Sequence, residues 1–425
     1  MVVGRTSRKR SRDRRAPDGR GRSAGPRERR RSPRLMDWSF LNFAYEPGLR
    51  PDSGGFRKLW EVAWALQTLG HTTRVFYPRL PGWVPLRDVP SAAYPVVDRA
   101  VVRPLTAHVS MALATLRAAR QTRPDIVYMR THINLLPLPM ARAVRARLVV
   151  EVNADGLQFL EQERAPRWKR QLFRRVERIN LRGAHLVVTL TPGLRQMVVE
   201  RYGVPADRVC VIPSGTDPDH FAPDDVARCR REIGLDPARP TVGFVGLFYR
   251  HQGVGTLLGA LARLHQWRPD VGGLIVGDGI MRRTWEAQAE RLGLDGAVRF
   301  TGQVPYTRVP VYLNAMDVLA APFTGDRGET SPFKVLDVMA CARPVVASDL
   351  LSVRSLADDS GALTLVPPDD AGALAQALGD LLERPERRAE LGRRGRDHVC
   401  RHHSWRRLAG ALESSVRSSS EVSAR

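Results

Sequence analysis

Two acidic residues eight positions apart, Glu329 and Asp337, flank the start of the stretch ETSPFKVLDVMACARPVVAS. Small residues and Pro332 stand between them, where an apolar helical pattern begins. A helix N-terminus presents unpaired backbone N–H groups and the positive end of the helix dipole, which suits a phosphate. Carboxylates on either side accept hydrogen bonds from sugar hydroxyls. The spacing indicates a site for a sugar nucleotide, and two solvated acids beside an ordinary helix are the alternative.

Two cations are candidates to meet such a phosphate. Lys334 is one of four lysines in the chain and lies at the predicted helix start, where a positive charge opposes the dipole unless an anion is bound. Arg250 lies in the glycine-rich turn after TVGFVG and is a candidate to pair with a diphosphate. A solvated arginine in an Arg-rich protein is the alternative for Arg250. No GKS or GKT sequence follows this turn, so its spacing excludes a Walker loop.

Further candidates lie in the first half of the sequence. Gly54 and Gly55 stand in the first predicted strand-to-helix loop, where glycine lets the backbone approach a phosphate. His132 follows the predicted strand DIVYMR and could position a sugar hydroxyl or balance phosphate charge. A glycine-rich turn and an exposed loop histidine are the alternatives. No HExxH, GxSxG or Asp-x-Asp motif occurs at these strand ends, so the residues favour metal-independent chemistry.

Short apolar runs alternate with amphipathic helical patterns from Met36 onwards, which predicts an α/β protein with parallel sheets covered on both faces. In the first half the predicted strands are 39–45, 73–78, 125–130, 147–153, 185–191 and 208–213. In the second half they are 241–246, 272–279, 298–304, 316–323, 343–348 and 362–367. The polar, Pro-rich segment 214–225 is predicted to be a linker. Because doubly wound sheets bind ligands beyond the carboxyl ends of their strands, two of them predict a deep cleft at their join.

The formal net charge of +23 is unevenly distributed along the 425 residues. Residues 1–35 contain 14 Lys and Arg against three Asp and Glu, so this arm holds about half of the excess. Its low apolar content and its many Gly, Pro and Ser residues predict disorder, and translation from Met36 is the alternative. A basic nucleic-acid-binding protein is the rival interpretation of the charge. The rest of the chain shows no recognisable reader module, so we expect no nucleic acid on the folded part.

The four cysteines are widely spaced and no apolar run is long enough to span a bilayer, which favours a cytoplasmic protein. Segment 167–182, RWKRQLFRRVERINLR, suggests peripheral contact with the inner face of a membrane, because its apolar residues share a predicted helical face and its cations lie largely elsewhere. An outer helix packing on its own sheet is the alternative. The apolar residues of that face are Trp168, Leu172, Phe173, Val176 and Ile179.

These motifs together resemble the retaining glycosyltransferases of family 4, which have the two-domain GT-B architecture. The block around Glu329 is similar to the family's E-x7-E block, with Asp337 in place of the second Glu. The resemblance extends from about residue 40 to 410 through PDSGG, VIPSGTD, VGFVG with HQG, VGDG, FTGQVP, MDVLAAPF, VPPDD and HSW. It implies two Rossmann-like doubly wound domains facing a cleft, with an acceptor domain at 36–214 and a donor domain at 215–402. A closing helix at about 403–418 would pack back on the first domain.

The resemblance also implies an activity and a set of site residues. The activity is retaining transfer of a sugar from a nucleotide-diphosphate sugar to a hydroxyl acceptor, which could be lipid-linked, in glycan, glycolipid or exopolysaccharide synthesis. No cofactor other than the donor substrate is implied, and no metal. In the implied roles Glu329 and His132 lie at the donor sugar, Asp337 at the ribose, Val304 and its neighbours at the base, and the backbone of 331–334, which includes Ser331, Pro332 and Phe333, at the phosphates. Gly246 and Thr330 are further candidates for donor binding.

Besides Asp337, two positions depart from the family pattern. Many members carry an Arg and a Lys, as diphosphate clamps, where this chain has Leu247 and Gln252. Arg250 and Lys334 are expected to substitute for them, as in the subgroup whose block reads SPLKLFEYMA. Asp337 is one methylene shorter than Glu. A catalytically weak GT-B homologue is therefore the alternative to an active enzyme.

Overall fold

The computed structural model describes residues 35–41, 54–80, 83–97, 99, 102–131, 133–162, 164–328 and 331–423. The basic arm at 1–34, with its predicted disorder, lies outside the described residues. So do three predicted site residues, His132, Glu329 and Thr330.

A seven-stranded parallel sheet forms the first half, in the order β3-β2-β1-β4-β5-β6-β7. The sequence predicts six of these strands and misses β3, whose SAAYP sequence is short and has no strong β-forming run. The strands are β1 (Asp37–Leu41), β2 (Thr72–Arg79), β3 (Ser91–Pro95), β4 (Ile126–Arg130), β5 (Arg147–Val152), β6 (Leu186–Thr189) and β7 (Val209–Val211).

Helices cover both faces of this first sheet. They are α1 (Gly54–Thr68), α2 (Arg103–Thr122), α3 (Pro137–Ala143), α4 (Gly156–Gln162), α5 (Arg167–Gly183) and α6 (Pro192–Tyr202). One apolar core joins the sheet to α2, α3, α5 and α6, and a separate core on the other face joins it to α1.

The structure divides the apolar residues of α5 between two faces. Phe173 and Val176 are buried, whereas Trp168, Leu172 and Ile179 are exposed. The predicted single outward apolar face is therefore wrong in part. Positions 173 and 176 fall about 140° and 80° around the helix from Trp168, on the side that faces the sheet.

A six-stranded parallel sheet forms the second half, in the order β10-β9-β8-β11-β12-β13. All six strands lie within predicted ranges: β8 (Thr241–Val245), β9 (Gly272–Val276), β10 (Val298–Gly302), β11 (Val318–Ala321), β12 (Val345–Ser348) and β13 (Leu363–Val366). The helices are α7 (Val226–Glu232), α8 (Val254–Leu264), α9 (Arg282–Arg291), α10 (Val309–Asn314), α11 (Phe333–Ala340), α12 (Leu351–Ser360), α13 (Ala371–Glu383) and α14 (Pro385–His402).

The chain passes between the halves twice, at two adjacent segments. The outgoing segment pairs with the returning one, because Thr216 bridges Ser404 and its backbone N–H donates to the carbonyl of His403 at 2.9 Å. The final helix, α15 (Trp405–Ser423), then packs against α1 of the first half, with Trp405 and Leu412 buried in the shared core. The two crossings therefore form a compact join. Within the described residues no helix is both long and apolar enough to cross a bilayer.

Candidate functional site

A cavity of about 470 Å³ lies between the two halves, beyond the carboxyl ends of β8 and β9. Phe323, just after β11, also lines the cavity, so the cavity includes the boundary between β8 and β11, where the strand order reverses. This is the position that open parallel sheets offer to a ligand. The first half contributes Arg57, Ala154, Phe159 and Gln162 to its walls. From the predicted site, the second half contributes Gly246, Val304, Ser331, Phe333, Lys334 and Asp337. The predicted cleft and most of its donor-side residues therefore coincide.

Lys334 reaches from α11 to the turn after β8. Its ammonium donates a hydrogen bond to Oε1 of Gln252 and lies 3.8 Å from the centre of the Phe244 ring. Gly246 has a φ of 154°, and a Cβ there would lie 2.7 Å from Nζ of Lys334. The glycine thus leaves the space that the ammonium occupies, and Gln252, one of the two departures from the family pattern, becomes a partner that holds Lys334 in place.

The environment of Lys334 disfavours its charge. Burial lowers the pKa of Lys334 well below its usual range, and the charge of Arg327 adds to that effect. Burial also lowers the pKa of His251, on the same wall, to about 4, with Arg327 and Lys334 contributing. A lysine whose charge is disfavoured by burial regains that charge when an anion binds beside it, so this wall of the cleft favours an anion.

Asp337 is buried and bonds across the join between the halves. Nη2 of Arg57, on α1, donates to both carboxylate oxygens at 3.3 and 3.1 Å. The hydroxyl of Thr216, in the crossing segment, donates to Oδ1 at 2.6 Å. The acid that the sequence assigns to a ribose is therefore also an interdomain ion-pair partner.

Arg57 is held by aromatic rings as well as by Asp337. Its guanidinium lies 4.6 Å from the ring centre of Tyr306 and 5.8 Å from that of Phe221. Burial disfavours the charge of Arg57, but Asp337, Tyr306 and Glu61 outweigh burial and raise its pKa. A planar cation between an acid and aromatic faces is a stable arrangement for a buried arginine.

The other predicted residues fall into two groups. Arg250 lies in a 3-10 turn with its side chain exposed, and the cleft wall takes Tyr249, His251 and Gln252 instead. The structure thus does not bring Arg250 to the cleft. Gly54 and Gly55 begin α1, and Pro332 precedes α11 and faces a second cavity beside it.

Phe333 has a second role in addition to lining the cleft. Its side chain packs against both apolar cores of the first half, although the residue belongs to α11 of the second. The start of the helix that the sequence assigns to phosphate binding is thus fixed against the opposite domain.

Sequence reasoning missed three residues that shape the site: Arg57, Thr216 and Tyr306. Arg57 stands two residues after Gly55, and Thr216 lies within the VIPSGTD motif, so both were adjacent to recognised signals. Tyr306 follows Val304 closely, beside the predicted base contact. Their importance depends on contacts between segments 80 to 280 residues apart, which no local pattern encodes. No group of three or more potential metal ligands occurs within the ranges that the structure describes.

Comparison with known proteins agrees with this architecture. Residues 53–220 match the profile described as Glycosyltransferase Family 4, and residues 239–384 match that described as Glycosyl transferases group 1. The 2-deoxystreptamine N-acetyl-D-glucosaminyltransferase of Streptomyces fradiae is 31% identical over 328 residues, covering 71% of this chain and 75% of that protein. The chain belongs to glycosyltransferase family 4. The resemblance read from the sequence is thereby confirmed.

Other members of family 4 match over less of their length. The D-inositol 3-phosphate glycosyltransferase of Segniliparus rotundus is 32% identical over 225 residues, which cover 52% of this chain and 49% of that protein. This chain therefore spans about half the length of that relative.

Solved structures confirm the GT-B fold of this family 4 member. The sucrose-phosphate synthase of Thermosynechococcus elongatus superposes with a TM-score of 0.74 at 21% identity, covering 90% of this chain and 98% of that one. HepE of Anabaena, solved in complex with UDP and glucose, gives a TM-score of 0.70 at 19% identity, covering 90% of this chain and all of that one.

Proposed function

We propose that this protein transfers a sugar, with retention at the anomeric carbon, from a nucleotide-diphosphate sugar to a hydroxyl acceptor. The observation that carries the proposal is the position of Lys334, held by Gln252 over Gly246 at the start of α11, inside the cleft between the two sheets. A cation and a helix N-terminus that converge on one cavity suit a diphosphate. The structure of HepE of Anabaena, of the same fold, in complex with UDP-glucose supports this choice.

The proposed roles follow the walls of the cleft. Val304 contacts the base, Asp337 the ribose, and the backbone from Thr330 to Phe333, with Gly246, the diphosphate. Glu329 and His132, outside the described residues, are assigned to the donor sugar. The first half, with Ala154, Phe159 and Gln162 on its wall, is assigned to the acceptor. The domains proposed for these roles are 36–214 and 215–402.

The proposed chemistry is front-face transfer without a metal or a further cofactor. The bond between the anomeric carbon and the diphosphate oxygen breaks, and the acceptor oxygen bonds to the same face of that carbon. The departing phosphate takes the acceptor proton. Lys334 and the α11 N-terminus stabilise the charge that develops on the diphosphate, and closure of the cleft excludes water. Because charge builds up in the transition state, this stabilisation lowers the barrier.

The setting that we propose is the cytoplasm at the inner face of a membrane, in synthesis of a glycan, glycolipid or exopolysaccharide. The exposed, basic surface of α5 supports peripheral membrane contact through 167–182. A lipid-linked acceptor is consistent with that contact.

A screen of nucleotide sugars tests the proposal. The correct donor should raise the melting temperature and undergo slow hydrolysis or transfer. Both signals should collapse in Glu329→Ala and Lys334→Ala. Unchanged donor turnover in both variants would show that the site is wrongly placed.

A further inference from the structure

The loop 324–328, which precedes α11, brings the half-buried side chain of Arg327 into the wall of the cleft. The guanidinium carbon of Arg327 lies 3.7 Å from the centre of the Phe323 ring. The ammonium of Lys334 lies 5.3 Å from the centre of the same ring. Taken through that centre, the two distances place the cationic groups at most about 9 Å apart. Arg327 and Lys334 therefore share one part of the cleft.

The charge of Arg327 also acts on its neighbours in this part of the cleft. Burial is the main cause of the lowered pKa of both Lys334 and His251, and the charge of Arg327 is the next cause for each of them. Both of these residues line the cavity. Because like charges disfavour each other at such separations, an anion that binds beside them stabilises the charges of Arg327 and Lys334 together.

Contacts from both sides of the cleft hold this loop in place. The side-chain amide of Gln162, on α4 of the first half, donates to the carbonyl of Asp326 at 2.6 Å. On the side of the second half, the backbone N–H of Gly325 donates to Oδ2 of Asp369 at 2.9 Å. The backbone on the N-terminal side of Arg327 is thus fixed by hydrogen bonds to two different elements. A side chain that is positioned in advance loses less conformational freedom when a ligand binds.

The diphosphate of the proposed donor has two phosphoryl groups, and Lys334 supplies one ammonium. The sequence predicts Arg250 as the second cation, but its side chain is exposed and does not reach the cleft. Leu247, which lines the cavity in the same turn, has no charge. Arg327 therefore supplies a positive charge in the part of the cleft where Arg250 was expected to do so.

We propose that Arg327 is a second phosphate-binding cation of the cleft and pairs with a diphosphate together with Lys334. A guanidinium presents parallel N–H groups that match two phosphate oxygens, whereas an ammonium acts as a point charge. Stacking on the Phe323 ring leaves the N–H edge of the guanidinium able to donate. That the diphosphate belongs to a sugar donor rests on the proposed function, whereas binding of the phosphoryl groups does not.

The same contact also affects the rate of transfer. When the bond to the anomeric carbon breaks, the electron pair stays on the diphosphate, whose negative charge increases. Hydrogen bonds from Arg327 strengthen as that charge develops, so the residue stabilises the transition state more than the bound donor. Loss of Arg327 should therefore lower turnover as well as affinity.

Binding of inorganic pyrophosphate to the full-length protein tests the proposal, because pyrophosphate carries two phosphoryl groups without a base or a sugar. In isothermal titration, Arg327→Met should raise the dissociation constant at least about tenfold. Arg327→Lys, which keeps the charge but not the parallel donors, should raise it only about threefold. Arg283→Met is the matched control, because it removes the same charge from an exposed position on α9 of the same half, and it should stay within about twofold of wild type.

Three results would overturn the proposal. The first is equal affinity for pyrophosphate in Arg327→Met and wild type, or no binding by wild type. The second is an equal loss in Arg327→Met and Arg283→Met, which would show an effect of net charge alone. The third is a lowered melting temperature of the unliganded protein with equal losses of affinity in Arg327→Met and Arg327→Lys, which would assign Arg327 to supporting the loop.

Failure of the transfer function would give a different result. If pyrophosphate binding depends on Arg327 as expected but no nucleotide sugar is turned over, the proposed transfer is wrong. The assignment of Arg327 as a phosphate-binding cation would then still be supported.

Discussion

The two halves of the cleft differ in how their site residues are encoded. In the second half, short loops after β8 and before α11 supply the wall, and most predicted residues there line the cavity, among them Gly246, Val304 and Lys334. In the first half, none of the lining residues Arg57, Ala154, Phe159 and Gln162 was predicted, and Arg57 lies in the first turn of α1. Loop sites with special backbone geometry leave a local sequence signature. A helical residue that acts through a partner 280 positions away does not.

The two halves also differ in whether the charges that they place in the cleft are balanced by a partner. The second half presents cations whose charge burial disfavours, as at Lys334, and which therefore favour an anion. The first half presents Arg57, whose charge is already balanced by Asp337. The wall from the second half is suited to bind an anionic ligand, whereas Arg57 of the first half connects the two halves. Substitutions in each half test whether the second half binds the donor and the first half stabilises the join.

The largest effect is expected from Lys334→Met. Removing the cation at the α11 N-terminus should lower donor turnover by about a hundredfold or more, because its interaction is strongest with the charge that develops on the diphosphate. Arg250→Met, in the exposed turn nearby, should stay within about threefold of wild type. Steady-state kinetics with the donor found by screening measure both. Equal losses in the two variants would contradict the placement of Arg250 outside the site.

Arg57→Met should destabilise the protein by about 3 kcal/mol, since it leaves the buried Asp337 carboxylate without its cation. Urea unfolding measures the change. Adding Asp337→Asn to the same chain should recover part of the loss, which shows that the two residues act as a pair. Arg354→Met, which breaks the exposed pair with Asp349, should leave the unfolding midpoint unchanged. A similar midpoint for Arg57→Met and wild type would show that the ion pair between Arg57 and Asp337 does not stabilise the protein.

Gly246→Ala should weaken donor binding by about tenfold, because the new Cβ displaces the Lys334 ammonium that lies 2.7 Å away. Gly203→Ala is the matched control in the first half. Gly203 also has a positive φ, of 67°, but nothing lies within 4 Å of an added Cβ. It should cost about 1 kcal/mol of stability and leave donor affinity unaltered. Isothermal titration with the donor separates the two. Equal donor affinity in Gly246→Ala and wild type would show that donor binding does not depend on the position of the Lys334 ammonium.

The smallest effect concerns acid stability. The pKa of His251 is about 4 in the folded protein, mainly because of burial, and near 6.5 when unfolded. Between these values the unfolded chain takes up a proton that the folded protein does not, so stability falls as the pH drops from 6.5 towards 4. His251→Gln should therefore make the fall shallower. His402→Gln, at an exposed position, serves as the reference. Unfolding midpoints at several pH values measure how steeply stability depends on pH. The same dependence in His251→Gln and wild type would show that burial does not lower the pKa of His251.

Much of the fold followed from the sequence. Alternating apolar strands and amphipathic helices have a period and a length that local sterics and burial impose, so twelve strands were found in their places. Strand β3 was missed because an edge strand needs no continuous apolar run. The sequence also placed all five apolar residues of α5 on one face, whereas the structure buries two of them and exposes three. The apolar pattern alone does not show which of these residues the sheet covers.

The sequence alone determined that two α/β halves face a cleft and that the start of α11, predicted to bind an anion, lies in it, because hydrophobic periodicity and glycine-rich turns act over a few residues. Only the tertiary structure decided that Asp337 bonds to Arg57 and that Gln252 holds Lys334. It also decided that Arg250 faces solvent. These outcomes depend on which side chains the two halves bring within about 3 Å of each other, and distance in sequence carries no information about that.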